Sequence, residues 1–238
     1  MNIPVSLKDS IYKAILQDIL PYEYKPNDIL NEKALVEKYG CSKSPVREAL
    51  LELCADNVLR SIPRYGYEVI RVTRDDVRDM LQYRYILERG LLLEHFQTLS
   101  DTQIDRLADL NEKCSKAADI WEHWAYNTEF HLKLIFFCGN SYASESLRRC
   151  MERLKRAYAQ FYWDDPDGVH FSMDTRNHEA ILQAIRAKDQ AALANALAED
   201  MNDLGGKRLN TAKAWLEKKK SPRGLFSLLI RLKCGHRW

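Results

Sequence analysis

The chain begins with apolar residues spaced as on one face of a helix. Leucine or isoleucine occupies every fourth position from 7 to 19, which predicts a helix that ends before Pro21. A shorter helix follows Asn31, whose side chain suits the first cap position, and Gly40 favours its end. The first 40 residues therefore indicate two amphipathic helices joined by a turn.

A third helix begins within the segment CSKSPVREAL. Ser42 or Ser44 can cap it, and Pro45 is tolerated in the first turn because the N–H groups there have no intrahelical partner. The positions that follow the i, i+3, i+4, i+7 spacing predict its buried side: Val46, Ala49, Leu50 and Leu53. This orientation leaves Lys43, Ser44 and Arg47 facing outward.

Two short β-prone segments follow the third helix. Residues 59–62 and 67–70 are joined by Pro-Arg-Tyr-Gly, a composition typical of turns, and they predict a hairpin. Three helices followed by a hairpin in about 70 residues are typical of a winged helix-turn-helix. We therefore predict such a domain over residues 1–71, with its third helix suited to the DNA major groove.

Residues 72–219 are predicted to form a second domain that contains only helices. Thr73 with Asp76 is a helix-capping pattern at its start. The apolar periodicity predicts helices near 73–97, 101–121, 123–138, 143–164, 174–187 and 190–216. The fold class is accordingly mainly α, a winged helix-turn-helix followed by an antiparallel all-helical bundle domain. Residues 220–238 form a basic tail, either a disordered extension or a docked amphipathic segment.

Composition narrows the class of protein. Of the 238 residues 46% are hydrophobic, yet no apolar run reaches the roughly 18 residues that cross a bilayer. The six cysteines are scattered without a C-x-x-C pair, which favours reduced thiols over a disulfide framework or a zinc knuckle. We expect a cytoplasmic protein with no membrane partner.

The net charge of +2 is unevenly distributed along the chain. Residues 207–238 contain ten Lys and Arg residues and one Glu. Residues 1–70 contain nine Lys and Arg residues and ten Asp and Glu residues. DNA binding by the first domain must therefore depend on where its cations lie. Lys43 and Arg47 lie near a helix N-terminus, where backbone N–H groups already favour anions. This placement favours a recognition helix over an ordinary solvated helix face.

Polar residues interrupt several predicted apolar stripes of the second domain. Arg84 and Glu88 lie four apart on one stripe. They form either a salt bridge that seals a helix contact or, through Arg84, part of a binding site for an effector carboxylate. Three further stripes are broken by Asn127 with His131, by His178, and by Asp200. Such groups can meet in one cavity.

Two parts of the sequence resemble a known family. The run LNEKALVEKYGCSKSPVREALLELCADNVLRSIPRYGYEV, within residues 7–70, resembles the DNA-binding domain of GntR-family bacterial transcription regulators. The segments YRYILE, NTEFHLKLIFFCGN and NHEAILQAIRAKD are similar to the all-helical (FCD-type) ligand-binding domain of the FadR-like subgroup. The resemblance implies a homodimer that binds a palindromic operator and responds to a small metabolite, often a carboxylate.

The resemblance also implies which residues contact operator DNA. They lie in the second and third helices and at the hairpin tip: Lys33, Ser42, Lys43, Ser44, Arg47, Arg64, Tyr65 and Gly66. Lys43 stands where the family usually has arginine, and lysine lacks the bidentate fork that reads guanine. We therefore expect Lys43 to contact phosphate.

The resembling subgroup commonly binds a divalent metal through one Asp and three His beneath the effector. The matching positions are Asn127, His131, His178 and Asp200, so two of the four residues differ from the usual set. Two imidazoles, a carboxylate and an amide oxygen still suit zinc, nickel or manganese. The resemblance favours Arg84 as the partner of the effector carboxylate.

We expect a ligand-responsive transcription regulator, acting as a repressor, and not an enzyme. The alternative is a helical metalloenzyme with an appended winged-helix domain. An enzyme would need a positioned base or nucleophile, and the sequence has no H-E-x-x-H, G-x-S-x-G or P-loop motif. A histidine on an apolar face is more often a core residue than a ligand, so a structural role for His131 and His178 stays open.

Overall fold

The computed structural model describes residues 6–164 and 175–205. Its first part contains α1 (Leu7–Ile19), β1 (Ile29–Leu30), α2 (Glu32–Tyr39), α3 (Lys43–Ala55), β2 (Leu59–Ile62) and β3 (Gly66–Val69). These elements form a winged helix-turn-helix, as the sequence predicts. The last strand begins one residue earlier than predicted, and β1 is additional. A two-residue strand is too short to show alternation, so periodicity does not reveal it.

Local capping explains where α2 and α3 begin. The Asn31 side-chain oxygen accepts a hydrogen bond from the Lys33 N–H at 2.9 Å, and α2 ends at Gly40 with a φ of 60°. Ser42 is the cap residue of α3, although its side chain makes no capping hydrogen bond. Only residues 40–42 separate the two helices, which keeps them in a helix-turn-helix arrangement.

The wing is the hairpin of β2 and β3, and β3 is the middle strand of an antiparallel sheet in the order β1, β3, β2. Gly66 begins β3 with a φ of 136°, a conformation that L side chains rarely adopt. A Cβ at this position would lie 2.4 Å from the Leu30 carbonyl oxygen on β1. The close approach of β1 to the hairpin therefore requires glycine here.

The apolar stripes predicted for α1 and α3 meet in the core of the winged domain. Their buried members are Ile11, Ile15, Ile19, Val46, Ala49, Leu50 and Leu53. Leu35 of α2 and residues of the sheet complete the same cluster. Each fully buried leucine or isoleucine stabilises the domain by roughly 1.5–3 kcal/mol relative to exposure, so this contact fixes the orientation of α3.

The second part is helical throughout the described residues. It contains α4 (Arg74–His95), a 3-10 turn (Phe96–Thr98), α5 (Asp101–Ser115), α6 (Ile120–Phe136), α7 (Ser141–Asp164), α8 (Arg176–Arg186) and α9 (Gln190–Gly205). Helix α4 packs against α7 and α9, α5 against α6 and α8, and α8 against α9. The mainly α fold class is confirmed. The prediction of helix beyond residue 205 and the basic tail both lie outside the described residues.

The boundary between α5 and α6 differs from the sequence prediction. Periodicity predicts helices over 101–121 and 123–138, but α5 ends at Ser115 and α6 begins at Ile120. The Asp119 side chain accepts hydrogen bonds from the N–H groups of Trp121 and Glu122, at 2.8 and 2.9 Å. The cap satisfies two N–H groups that have no intrahelical partner. Helix α6 therefore begins at Ile120, ahead of the predicted start at residue 123.

Two expectations from composition can be compared with the described residues. Within 6–164 and 175–205, no helix is long and apolar enough to cross a membrane. The five cysteines in this part carry free thiols, and Cys234 lies outside it. Burial raises the pKa of Cys138 and Cys150 to about 11, so both thiols stay protonated near neutral pH.

Candidate DNA-binding surface and buried polar site

The N-terminal end of α3 is open to solvent. The apolar side of the helix is buried, whereas Ser42, Lys43, Ser44 and Arg47 are exposed. The Lys43 side chain is 75% exposed. Because these side chains are exposed, no described segment of the chain covers this end of the helix. It presents two cations and two hydroxyl groups where the helix dipole also favours anions.

The cations near this end have weak partners. Lys43 Nζ lies 3.3 Å from a Glu32 carboxylate oxygen, and Lys33 Nζ lies 3.9 Å from Glu37. The Lys33–Glu37 pair is exposed on both sides, and such pairs contribute between zero and about 1 kcal/mol. Lys33 can therefore exchange its carboxylate partner for phosphate at little energetic cost, and the Lys43 ammonium is accessible beside a partly buried Glu32.

The wing presents a second exposed group at the turn between β2 and β3. Arg64 is exposed with a φ of 71°, and the Tyr65 side chain projects into solvent with 74% of its surface exposed. Gly66 follows at the start of β3. The hairpin tip is therefore shaped by residues in positive-φ conformations and carries a cation beside an aromatic ring.

The helical domain contains a buried group of charged and imidazole side chains. Four helices contribute to it: Arg84 and Glu88 from α4, His131 from α6, His178 from α8 and Asp200 from α9. None is more than 6% exposed. Buried charges are costly unless they are paired or bind a ligand, so the contacts within this group indicate its role.

Glu88 lies between a cation and an imidazole. Arg84 Nε donates a hydrogen bond to one Glu88 oxygen at 2.8 Å, and His131 Nδ1 lies 2.8 Å from the other. Burial alone would raise the pKa of Glu88, but Arg84 and His131 outweigh it and lower the pKa to about 2. An ionised carboxylate only accepts, so His131 donates to Glu88 through Nδ1 and turns its Nε2 toward His178 and Asp200.

His178 is oriented in a similar way by an amide. Its Nδ1 lies 3.1 Å from the Asn111 side-chain oxygen, and its ring stacks on Phe130 with centroids 4.1 Å apart. Burial, reinforced by neighbouring His131, lowers the pKa of His178 well below its usual value. His178 is therefore neutral, and because its Nδ1 donates to Asn111, its Nε2 carries a lone pair.

Three donor atoms converge at the centre of this group. The two Nε2 atoms of His131 and His178 are 3.2 Å apart, and Asp200 oxygens lie 3.3 Å from the first and 3.7 Å from the second. Two ring nitrogens at this separation need a proton or a cation between them, because two lone pairs would repel. Zinc bonds of about 2.0–2.1 Å place tetrahedral donors about 3.3 Å apart, so the donor spacing fits a divalent metal.

Arg84 retains hydrogen-bonding capacity beyond its contact with Glu88. Its side chain is fully buried, and Nη1 and Nη2 have no hydrogen-bond partner among the described residues. The Asp200 carboxylate is 4.0 Å from Nη2, too far for a hydrogen bond. Burial alone would lower the pKa of Arg84, but Glu88 and Asp200 raise it, so the guanidinium remains charged.

The predicted site residues separate into two groups in space. Lys33, the α3 end and the wing lie on the winged domain, while Arg84, His131, His178 and Asp200 meet in the helical domain. Asn127 is buried on α6, one helical turn before His131. Arg84 and Glu88 form the predicted salt bridge. Two guanidinium nitrogens of Arg84 still have no hydrogen-bond partner among the described residues, so the alternative role of Arg84 in binding an effector carboxylate stays a prediction.

Sequence reasoning missed the supporting residues Asn111 and Tyr158. Asn111 contacts His178 through its side-chain oxygen. A polar residue that interrupts an apolar stripe was the signal used for His131 and Asp200, and Asn111 gives the same signal on α5. Tyr158 is buried near enough to Arg84 and Asp200 for their charges to affect its pKa, which burial raises. Its position among apolar neighbours on α7 gives no comparable signal in the sequence.

Two family models match this chain. The model for bacterial regulatory proteins of the gntR family matches residues 7–69, and the FCD domain model matches residues 79–203. Together they cover the winged domain and the helical domain that contains the buried polar group. The metalloenzyme alternative is not favoured, because both matches and the relatives below indicate a regulator.

Relatives agree with these matches. The gluconate operon transcriptional repressor of Bacillus licheniformis is 28% identical over 193 residues, 75% of each chain. The regulator McbR of Escherichia coli is 27% identical over 180 residues, 74% of this chain and 81% of McbR. The solved structure of Escherichia coli McbR/YncC has the same fold, with a TM-score of 0.68 and 24% identity over 90% of this chain and 99% of that one. The chain therefore belongs to the GntR family of bacterial transcription regulators and carries an FCD domain.

Proposed function

We propose that this regulator is a repressor whose DNA binding is controlled by a small carboxylate. The observation that carries the proposal is the Arg84 guanidinium, which is fully buried yet has two nitrogens without hydrogen-bond partners in the described chain. A carboxylate can accept from both nitrogens and balance the charge. One relative regulates a gluconate operon, and gluconate is a small hydroxycarboxylate.

On the DNA side, two copies of the chain place their α3 helices in successive major grooves, about one helical turn apart. Arg47 reaches a base edge, because it is exposed one turn into the helix. The remaining contacts position the duplex through its backbone: Lys33, Ser42, Lys43, Ser44, Arg64, Tyr65 and Gly66. The dimer then requires an operator with two symmetry-related half-sites.

In the FCD domain, His131, His178 and Asp200 hold a divalent metal, with the Asn127 amide as a fourth donor. The spacing of the three buried donors supports this assignment. Glu88 and Asn111 fix the imidazole tautomers through Nδ1, as partners of metal-binding histidines commonly do. When bound, the metal supplies a Lewis acid for carboxylate oxygens. Zinc, nickel and manganese are the candidate ions.

The effector controls DNA binding by favouring one arrangement of the two domains. A ligand shifts this equilibrium only as far as its affinities for the two arrangements differ. Arg84 and Asp200 lie on α4 and α9, two helices that pack against each other. A carboxylate bound to the free guanidinium nitrogens of Arg84 draws this side chain away from Asp200, and it therefore alters how these helices meet.

A titration of operator binding tests this function. Fluorescence anisotropy with the promoter beside the gene measures affinity with and without small hydroxycarboxylates, including gluconate and any acid that co-purifies with the protein. We expect the effector to lower operator affinity by about tenfold, a typical coupling. Arg84→Lys retains the charge but lacks the planar fork, so it should bind operator normally and need about tenfold more effector.

Two outcomes would contradict the proposal. A protein that binds its operator equally well with every co-purified or added carboxylate is not controlled by this ligand class. An Arg84→Lys protein with an unchanged effector response would reject Arg84 as the carboxylate partner. Arg149→Lys is the matched control, because Arg149 is an exposed arginine elsewhere in the same domain.

A further inference from the structure

Helix α3 has an outward face that is polar except for one residue. Its exposed residues at the spacing i, i+3, i+4 and i+7 are Ser44, Arg47, Glu48 and Leu51, and we call them the outer stripe. Recognition helices contact base edges through side chains at this spacing. Under the docking proposed above, on which this inference rests, the outer stripe faces the bases of the major groove.

Leu51 points directly away from the core of the winged domain. It is 52% exposed, whereas Leu53, two residues later and on the opposite side of α3, is fully buried. Ser44 and Leu51 are seven residues apart, so they lie within about 20° of each other around the helix axis. The leucine therefore follows the same line along the helix as the hydroxyl group near its N-terminal end.

The other members of the outer stripe already have a polar role. Ser44 Oγ donates a hydrogen bond to the Glu48 carboxylate at 2.9 Å, and Arg47 is the proposed contact to a base edge. An isolated exposed leucine is common on protein surfaces, but a face that enters the groove meets phosphates and base edges. A leucine gains nothing from phosphate, so base edges are the part of the duplex that Leu51 can favour.

The major groove offers an apolar side chain one kind of partner. The base edges carry hydrogen-bond donors and acceptors, and thymine adds a C5-methyl group that apolar side chains contact. The leucine side chain can neither donate nor accept a hydrogen bond. We propose that Leu51 is a specificity-determining residue that contacts the methyl group of a thymine in the operator.

The position of Leu51 limits where that thymine lies. Leu51 follows Arg47 by four residues, about 6 Å along the helix axis. Successive bases of one strand are about 3.4 Å apart along the duplex, so the thymine lies within about two base pairs of the base that Arg47 contacts. Cytosine in its place would present an amino group to an apolar side chain, and Leu51 therefore selects thymine over cytosine.

Removal of thymine methyl groups from the DNA tests this contact. The promoter fragment is amplified with dUTP in place of dTTP, because uracil keeps the hydrogen-bonding groups of thymine and lacks only the methyl group. In anisotropy titrations, the wild-type protein should bind the uracil duplex about fourfold more weakly for each contacted methyl group. Leu51→Ala should bind the thymine duplex more weakly by the same factor and should lose the preference for thymine.

Matched variants separate the methyl contact from general effects. Leu51→Met retains an apolar side chain and should keep the preference for thymine. Leu7→Ala removes an exposed leucine of α1 in the same domain and should keep it too. Leu51→Ala should fold, as a Tm measurement checks, because Leu51 is exposed and alanine suits the interior of a helix. Single thymine-to-uracil substitutions then locate the contacted base.

Arg47→Ala in the same titrations distinguishes the role of Leu51 from the proposed docking of α3. Suppose that Arg47→Ala weakens operator binding, but the uracil duplex changes the affinities of wild type and Leu51→Ala equally or not at all. Helix α3 then docks without a methyl contact by Leu51, and the assignment of Leu51 alone is overturned. A contacted thymine more than about two base pairs from the Arg47 base would overturn it as well. Unchanged operator binding in Arg47→Ala would contradict the docking itself, and the role of Leu51 with it.

Discussion

At the residue scale, Gly66 illustrates a requirement that comes from the backbone of a neighbouring strand. Its positive φ disfavours any other residue, and a Cβ would also meet the Leu30 carbonyl oxygen at 2.4 Å. Gly40 also has a positive φ, but a Cβ there would meet nothing within 4 Å. A substitution at Gly40 would therefore introduce backbone strain alone, whereas one at Gly66 would introduce both strain and a steric clash.

Gly66→Ala should destabilise the winged domain by about 2–4 kcal/mol, because both strain and clash contribute. Gly40→Ala should cost only about 1 kcal/mol, the strain alone. Urea denaturation followed by circular dichroism measures both variants. Equal losses in the two variants would mean that β1 does not approach Gly66 as closely as described.

Arg47 tests the recognition helix. Arg47→Ala should weaken operator binding by about 1–3 kcal/mol and relax specificity, because the proposed base contact would be lost. Anisotropy titrations with operator and scrambled duplexes measure both effects. Arg149→Ala, which removes an exposed cation of α7 in the helical domain, should leave both affinities unchanged. Operator affinity that survives Arg47→Ala intact would argue strongly against the proposed docking of α3.

Lys33 should behave differently from Arg47. Lys33→Ala removes the proposed phosphate contact, so it should weaken binding to operator and scrambled duplexes equally and reduce the salt slope by about one. Affinities measured across a salt series give this slope. A loss confined to the operator would instead indicate that Lys33 reads a base.

At the element scale, α7 joins the domains through side chains that bond to backbone groups. The Gln160 amide accepts from the Val72 N–H at 2.9 Å and donates to the Val72 carbonyl oxygen at 2.8 Å. Val72 lies at the entrance to α4, between the wing and the helical domain. One buried glutamine thus satisfies both backbone groups of the linking segment.

Gln160→Leu should destabilise the protein by at least about 2 kcal/mol, since the N–H and carbonyl groups of Val72 would be buried without partners. Gln183→Leu is the control, because Gln183 is exposed and its effect should stay within about 0.5 kcal/mol. Urea unfolding of both variants provides the comparison. Similar stabilities would show that water replaces the glutamine at no cost.

At the scale of the whole molecule, a metal would hold α6, α8 and α9 together. Zinc at about 100 times its Kd should raise the free energy of unfolding by about 2.7 kcal/mol. His131→Ala and His178→Ala should lose both this effect and the metal measured by elemental analysis. His123→Ala is the matched control, because it removes another buried imidazole of α6, one that bonds to the Cys114 carbonyl. Equal metal content in all proteins would reject these ligands.

Much of the fold could be predicted because its signals are local. The stripe of α3, the Asn31 cap and the Gly40 terminus each depend on residues within a few positions of one another. The α5–α6 boundary could not be read in the same way, because Asp119 acts through hydrogen bonds that periodicity does not report. The candidate site was only partly predictable. Polar interruptions marked His131 and Asp200, but not which helices would meet.

The amino-acid sequence by itself determined the winged helix-turn-helix and the outward face of α3, because helical periodicity states which side of each helix is buried. Only the tertiary structure decided that Glu88 holds His131 and that His131 lies against His178, since these residues come from three helices far apart in the chain. It also decided that Arg156 of α7 lies buried against the Asn57 carbonyl group of the winged domain. Periodicity identifies a buried face, but the packing of helices selects its neighbours.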